Sequence, residues 1–114
     1  MLTVNTEFRH GIMFVRLKGD LTKDTVGKLD KKVTNKVRDF GICNLVFNVS
    51  NLKKIDYRGI NKLLYNYELC KKNHGKILLC GNNYNIKVKL KKSRLLNYIY
   101  EISDELCAMK IINM

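Results

Sequence analysis

Apolar and polar residues exchange in three rhythms along this chain. Over residues 2–8 the alternation is weak. Over 12–21 it is regular, with Met13, Val15, Leu17 and Leu21 on one side and Arg16, Lys18 and Asp20 on the other. Alternation of this kind predicts half-buried strands, the first at an edge, and His10-Gly11 between them predicts a hairpin turn. Val26, Leu29, Val33 and Val37 then recur at steps of three and four among lysines. That spacing predicts a helix over 22–40, with Thr22 as N-cap, Asp24 in the first turn and Gly41 as the stop. Leu45, Val46, Phe47 and Val49 show almost no alternation, as expected of a central strand over 44–49 covered on both faces.

The second half repeats these rhythms. Ile60, Leu63, Leu64 and Tyr67 form one stripe of a helix over 57–73 that ends at Asn73-His74-Gly75. Residues 76–80 read as another buried strand. After Gly81-Asn82-Asn83 a shorter helix turns Ile86 and Leu90 inward, and 99–102 is a last short strand. Ser103 is expected to cap a terminal helix, with Asp104 and Glu105 in its first turn and Leu106 and Met109 on its inner face. The order β-β-α-β-α-β-α-β-α predicts an α/β fold in one domain over 1–114. Its sheet of four to five strands is mostly parallel, opens with a hairpin and packs against about four helices.

Composition narrows the chemistry. Lys and Arg number 22 against 10 Asp and Glu, for a net charge of +12. Lys, Asn, Ile and Tyr are plentiful and proline is absent, a pattern of drift toward AT-rich codons, so the charge by itself names no partner. No run approaches the ~18–20 apolar residues of a membrane span. The start of the chain lacks a signal-peptide layout, so a cytoplasmic setting is expected. Cys43, Cys70, Cys80 and Cys107 are far apart with no C-x-x-C pair, which argues against a metal site or a disulfide framework and for thiols acting as small hydrophobes. His10 and His74 fall in turns with no nucleophile in a recognisable motif. Asp20, Asp24, Asp30 and Asp39 read as solvated charge. With no P-loop or G-x-G-x-x-G either, the chain is expected to be neither an enzyme nor a cofactor binder.

The stretch 44–60 is the candidate site. A buried strand runs through a short basic loop (Lys53, Lys54) and turns at Asp56-Tyr57-Arg58-Gly59 into a helix, where unpaired N–H groups reach the surface. Asp56 is expected to cap that helix and Gly59 to allow close backbone approach. Arg58, Lys53, Lys54 and Lys62 make a basic rim suited to an acidic protein face. Tyr57-Arg58 is the expected contact centre, since both residue types are favoured interface anchors. A competing basic element is 87–94, with Lys87, Lys89, Lys91, Lys92 and Arg94. It could lie along nucleic-acid phosphates, but beyond Tyr84 it offers no group to read or stack on a base.

Four segments together resemble the STAS family, the sulfate-transporter and anti-sigma-factor-antagonist domains. They are Leu17-Lys18-Gly19-Asp20-Leu21, Val46-Phe47-Asn48-Val49-Ser50, Asp56 with Gly59-Ile60, and Ile77-Leu78-Leu79-Cys80-Gly81. The likeness spans about residues 4–109. It implies the same STAS-like α/β fold and a protein-interaction module like an anti-sigma factor antagonist, which sequesters an anti-sigma factor that is itself a serine/threonine kinase. Three departures coincide. Thr22 and Asn48 stand where the family has aspartates, and Tyr57 stands at its phosphoacceptor serine. The resemblance therefore implies partner binding through 53–62 without serine phospho-switching. Its alternative is an accessory subunit that binds the ATPase of a lipid-transport ABC complex; a basic nucleic-acid-binding protein is the third reading.

Overall fold

The computed structural model describes residues 1–113. Strands β1 (Leu2–Arg9) and β2 (Ile12–Leu21) form the N-terminal hairpin, and β3 (Leu45–Ile55), β4 (Ile77–Cys80) and β5 (Tyr100–Ile102) follow. They lie side by side in sequence order. The hairpin pair is antiparallel and every later pair parallel, so each later step needs a crossover. The first crossover is one helical rod made of α1 (Val26–Leu29), a π-helical turn (Asp30–Thr34) and α2 (Asn35–Phe40). α3 (Tyr57–Lys72) and α4 (Tyr84–Lys92) make the next two, a 3-10 turn (Leu95–Asn97) leads into β5, and α5 (Glu105–Ile112) closes the described chain. The α/β architecture expected from the pattern is the one observed.

The π-helical turn has a geometric cause. Leu29, Val33 and Val37 are all fully buried and four residues apart. In an α-helix each such step drifts about 40° around the axis. A wider turn offsets the drift and keeps all three on the sheet. Asn66 of α3, also fully buried, ties α3 to this turn by donating to Thr34 Oγ1 (3.1 Å), with a second bond to the Lys62 carbonyl of its own helix (2.9 Å).

Three expectations are corrected. The rod begins at Val26, not at Thr22: the Thr22 carbonyl accepts from the Thr25 and Val26 N–H groups at 2.9 Å, closing a turn. Thr25 secures that turn, its hydroxyl accepting from Thr22 N (2.9 Å) and donating to the Asp20 carbonyl (2.7 Å). The central strand runs on to Ile55, so Lys53 and Lys54 are strand residues, not loop. Val49, Leu52 and Ile55 stay buried at steps of three because the β2–β3 register shifts once in each interval, which disguises the strand's period. Last, Asp104 rather than Ser103 caps α5, accepting from Cys107 N at 2.8 Å, and Leu106 points outward, 57% exposed. Glu105 is what turns inward, and with it Ala108.

The sheet divides the apolar residues in two. The larger core, including Val15, Leu17, Phe47, Leu63, Leu79, Ile86 and Leu90, lies under the rod, α3 and α4. The smaller one, with Ile12, Phe14, Val46, Leu78 and Cys80, lies under Ala108 of α5. Beside it Arg16 grips Glu105 with both arms, Nε to Oε2 at 2.9 Å and Nη2 to Oε1 at 2.8 Å, and Nη2 also donates to Glu7 at 2.8 Å. Asn48 Nδ2 adds a bond to Glu105 Oε2 at 2.9 Å. The Arg16 hydrogen bonds, opposed by partial burial and aided by the Asn48 amide, hold the Glu105 carboxyl below the usual carboxylate range.

A depressed folded-state value means that this stabilisation is present at neutral pH and disappears as pH falls through the folded-state titration of Glu105. Glu105→Gln is expected to cost about 1–3 kcal/mol at pH 7. Its deficit against the wild type should shrink toward pH 3. Urea unfolding of both proteins at the two pH values measures this, and a deficit that does not change with pH would reject the assignment.

Candidate functional site

β3 ends with buried Ile55, and Asp56 continues in extended conformation before the first turn of α3. The Asp56 carboxylate accepts from two backbone donors, Gly59 N at Oδ1 and Lys23 N at Oδ2, each at 2.9 Å. Its own N–H reaches the Leu21 carbonyl at 3.2 Å. Partial burial opposes ionisation of Asp56, but the bonds from Gly59 and Lys23 outweigh it and hold the carboxyl below its ordinary value. One side chain thus caps α3 and ties it to the turn after β2. Gly59 completes the joint. A Cβ there would sit 2.3 Å from the Leu21 carbonyl oxygen and 3.0 Å from Ile55 Cγ1, so only hydrogen fits.

With the inner side filled, the first helical residue faces water. Tyr57 is 67% exposed. The Arg58 guanidinium lies 5.7 Å from the centre of its ring, and Arg58 Nε donates to the phenol oxygen at 3.3 Å. Tyr57, Asn61 and Tyr65 form one stripe of α3, four residues apart, with Arg58 and Lys62 beside it. Together with Val26 of the rod they line an open cleft of about 400 Å³. Lys62 Nζ is 2.9 Å from Asp30 Oδ1 and 5.4 Å from the Tyr65 ring centre, so it bridges the π-helical turn and the cleft.

The residues singled out in the sequence do not all meet. Tyr57, Arg58 and Lys62 share the cleft, with Asp56 and Gly59 beneath it as its joint. Lys53 lines a different depression, with Met1, Thr3, Lys18, Gly19, Asp20 and Asn51, and Lys54 pairs in register with Asp20 on β2. Lys23, Val26, Asn61 and Tyr65 were missed. The four-residue recurrence of Tyr57, Asn61 and Tyr65 could have found two of them, but the contacts from Lys23 and Val26 depend on the crossover and leave no local signal.

Elsewhere the chemistry is sparse. Among the described residues no three His, Cys, Asp or Glu side chains converge as a metal site would require. Burial pushes the Cys70 and Cys80 thiols up to about 12, away from the reactive thiolate. On α4, Lys87 pairs with Glu101 at 3.0 Å and Lys89 Nζ donates to the Ile55 carbonyl at 3.4 Å, so part of that basic element serves the fold. No described helix is long and apolar enough to cross a membrane. Asn48, where the resemblance leads one to expect an acid, donates to the Glu105 carboxylate; an aspartate there would set two carboxylates at hydrogen-bond distance.

Comparison with known proteins places this geometry. The family model of the STAS domain matches residues 3–108. A candidate anti-sigma factor antagonist from Thermotoga maritima superposes with a TM-score of 0.90 at 13% identity, over 97% of this chain and 95% of that one. An anti-sigma factor antagonist from Mycobacterium paratuberculosis gives 0.88 at 17% identity, over 100% and 96%. The phosphorylated form of the Bacillus cell fate determinant SpoIIAA gives 0.74 at 15% identity, over 96% and 99%. At such identities these likenesses establish a shared fold, and the match over 3–108 goes further: the chain belongs to the STAS domain family.

Proposed function

We propose that this chain is a protein-binding regulatory module of the anti-sigma-antagonist kind, acting in the cytoplasm as one STAS-like unit over residues 1–114. Its partner is an anti-sigma factor of the serine/threonine-kinase type, bound at the start of α3. Family membership and the fold shared with anti-sigma factor antagonists support protein binding as the role. The observation that carries the choice of surface is Tyr57. It is an exposed aromatic ring, backed by Arg58, on a helix start that Asp56 and Gly59 hold rigid. Aromatic and arginine side chains presented on a stiff element lose little conformational freedom when a partner covers them.

The same residue sets the regulation. A serine in this place would hold its hydroxyl one carbon from the backbone, whereas the phenol carries it across a ring. A kinase site arranged for a serine Oγ does not reach it, and the negative charge that ends such complexes is never added. The chain binds constitutively or answers to another signal.

Affinity purification from the native host is expected to recover a kinase-like anti-sigma factor. Recovery of an ABC-type ATPase, or salt-sensitive retention on DNA, would replace this reading. With the partner in hand, Tyr57→Ala combined with Arg58→Ala is expected to weaken binding by about 30-fold or more. The melting temperature should stay within about 4 °C, because both side chains lie outside the core. Undiminished affinity in a titration would move the interface elsewhere. Incubation with the partner kinase and ATP is expected to leave the chain unmodified by mass spectrometry; a phosphate on Tyr57 would overturn the loss of the switch.

A further inference from the structure

β1 forms one margin of the sheet, and its outer edge is open. The phase of that edge follows from one bond. Asp20 N donates to the Met1 carbonyl at 2.9 Å, so residues 1, 3, 5, 7 and 9 exchange ladder bonds with β2. The N–H and C=O groups of Leu2, Val4, Thr6 and Phe8 therefore point away from the sheet. Such a row is a template for another strand.

Two lysines close part of it. Lys28 Nζ donates to the Leu2 carbonyl at 2.7 Å, and Lys32 Nζ donates to the Val4 carbonyl at 3.3 Å. The match is geometric: four residues of helix rise about 6 Å, and two residues of strand about 7 Å. No hydrogen bond from the described residues reaches the outward groups of Thr6 or Phe8.

We infer that Lys28 and Lys32 keep this edge from pairing with the same edge of a second copy of this chain. The occupant follows from self-complementarity. Two β1 strands related by a two-fold axis at Thr6 would place Thr6 opposite Thr6 and Val4 opposite Phe8. All of these residues carry outward-facing backbone groups, and Asn5 would meet Glu7, so no like charges stand opposite each other. That register needs the Val4 carbonyl, the acceptor Lys32 occupies. It would also bring four ammonium groups, two from each copy, to the shared edge. The lysines thus oppose pairing both by competing for acceptors and by charge repulsion.

Lys28→Ala with Lys32→Ala tests this directly, since both residues are exposed on a helix and alanine favours that conformation. By light scattering after gel filtration at about 100 µM, the wild type is expected to elute with the mass of one chain and the variant with the mass of two. Adding Thr6→Pro should return the variant to one chain, because the Thr6 N–H points outward and its loss breaks no bond to β2. Lys72→Ala with Lys91→Ala removes the same charge from exposed sites on α3 and α4, off the rod, and should stay at one chain. Any of three results overturns the inference: a wild-type or control dimer, a Lys28/Lys32 variant that keeps its circular-dichroism spectrum and remains one chain, or assemblies that Thr6→Pro does not dissolve.

Discussion

The structure depends most on the joint that Asp56 makes between two crossovers. Each parallel step leaves the sheet through a turn at the same end, and here those turns are fastened to one another. The carboxylate takes one N–H from α3 and one from Lys23, while the Asp56 N–H goes to Leu21 at the end of β2. A negative group at the positive end of a sixteen-residue helix is favourable in itself. The second bond adds rigidity between elements. Because Gly59 lies against the Leu21 carbonyl with no room for a side chain, the helix cannot turn about its axis without a clash. The direction of Tyr57 is therefore set by backbone packing, and no contact made by its own ring is needed.

The opposite face of the sheet is held by different physics. α5 is short, and the buried residues beneath it are few: Ile12, Phe14, Val46, Leu78 and Cys80, met by Ala108 and by the partly buried Met109, Ile111 and Ile112 of the helix. Apolar packing of that size does not by itself fix how a helix is turned, and the bidentate Arg16–Glu105 pair supplies direction as well as energy. Asn48 belongs to this device. It donates to Glu105 and uses its own carbonyl oxygen to accept from Ser50 N and Oγ, so the amide is satisfied on both sides. An aspartate at position 48 would have no proton to offer the Glu105 carboxylate, so the amide is what lets the central strand join this device.

Much of this was legible in the sequence. The hairpin, the buried central strand, the Asp56-capped helix and the element order all follow from periodicity and turn residues, because each is a local pattern. Three things were not legible, each for a non-local reason. The extension of β3 through Lys53 and Lys54 depends on register shifts against β2, which no period within β3 announces. The start of the first rod at Val26 depends on the Thr25 hydroxyl closing a turn onto Asp20. Leu106 was expected inside because it is apolar, but the inward side of α5 is set by Arg16, 89 residues earlier. At the site, Asp56 and Gly59 were readable as a helix start, while the division that sends Lys53 to a different depression required the fold.

Net charge is where the fold changes the picture most. A balance of +12 suggests a surface that attracts any polyanion. Individually, many of the cations have local tasks. Lys28, Lys32 and Lys89 donate to strand carbonyls, Lys62 pairs with Asp30, Lys87 with Glu101, and Arg16 with Glu105 and Glu7. At the proposed contact surface, Lys62 is already committed to Asp30 and Arg58 rests on the Tyr57 ring. What remains for a partner is an aromatic stripe with a single guanidinium laid against it. Such a surface selects by shape and by desolvated aromatic area more than by field, since charges already paired at home gain little from new partners. On the proposed reading, the constraint that points Tyr57 outward decides what is recognised, while Lys28, Lys32, Lys62, Lys87 and Lys89 serve to hold strands and helices together.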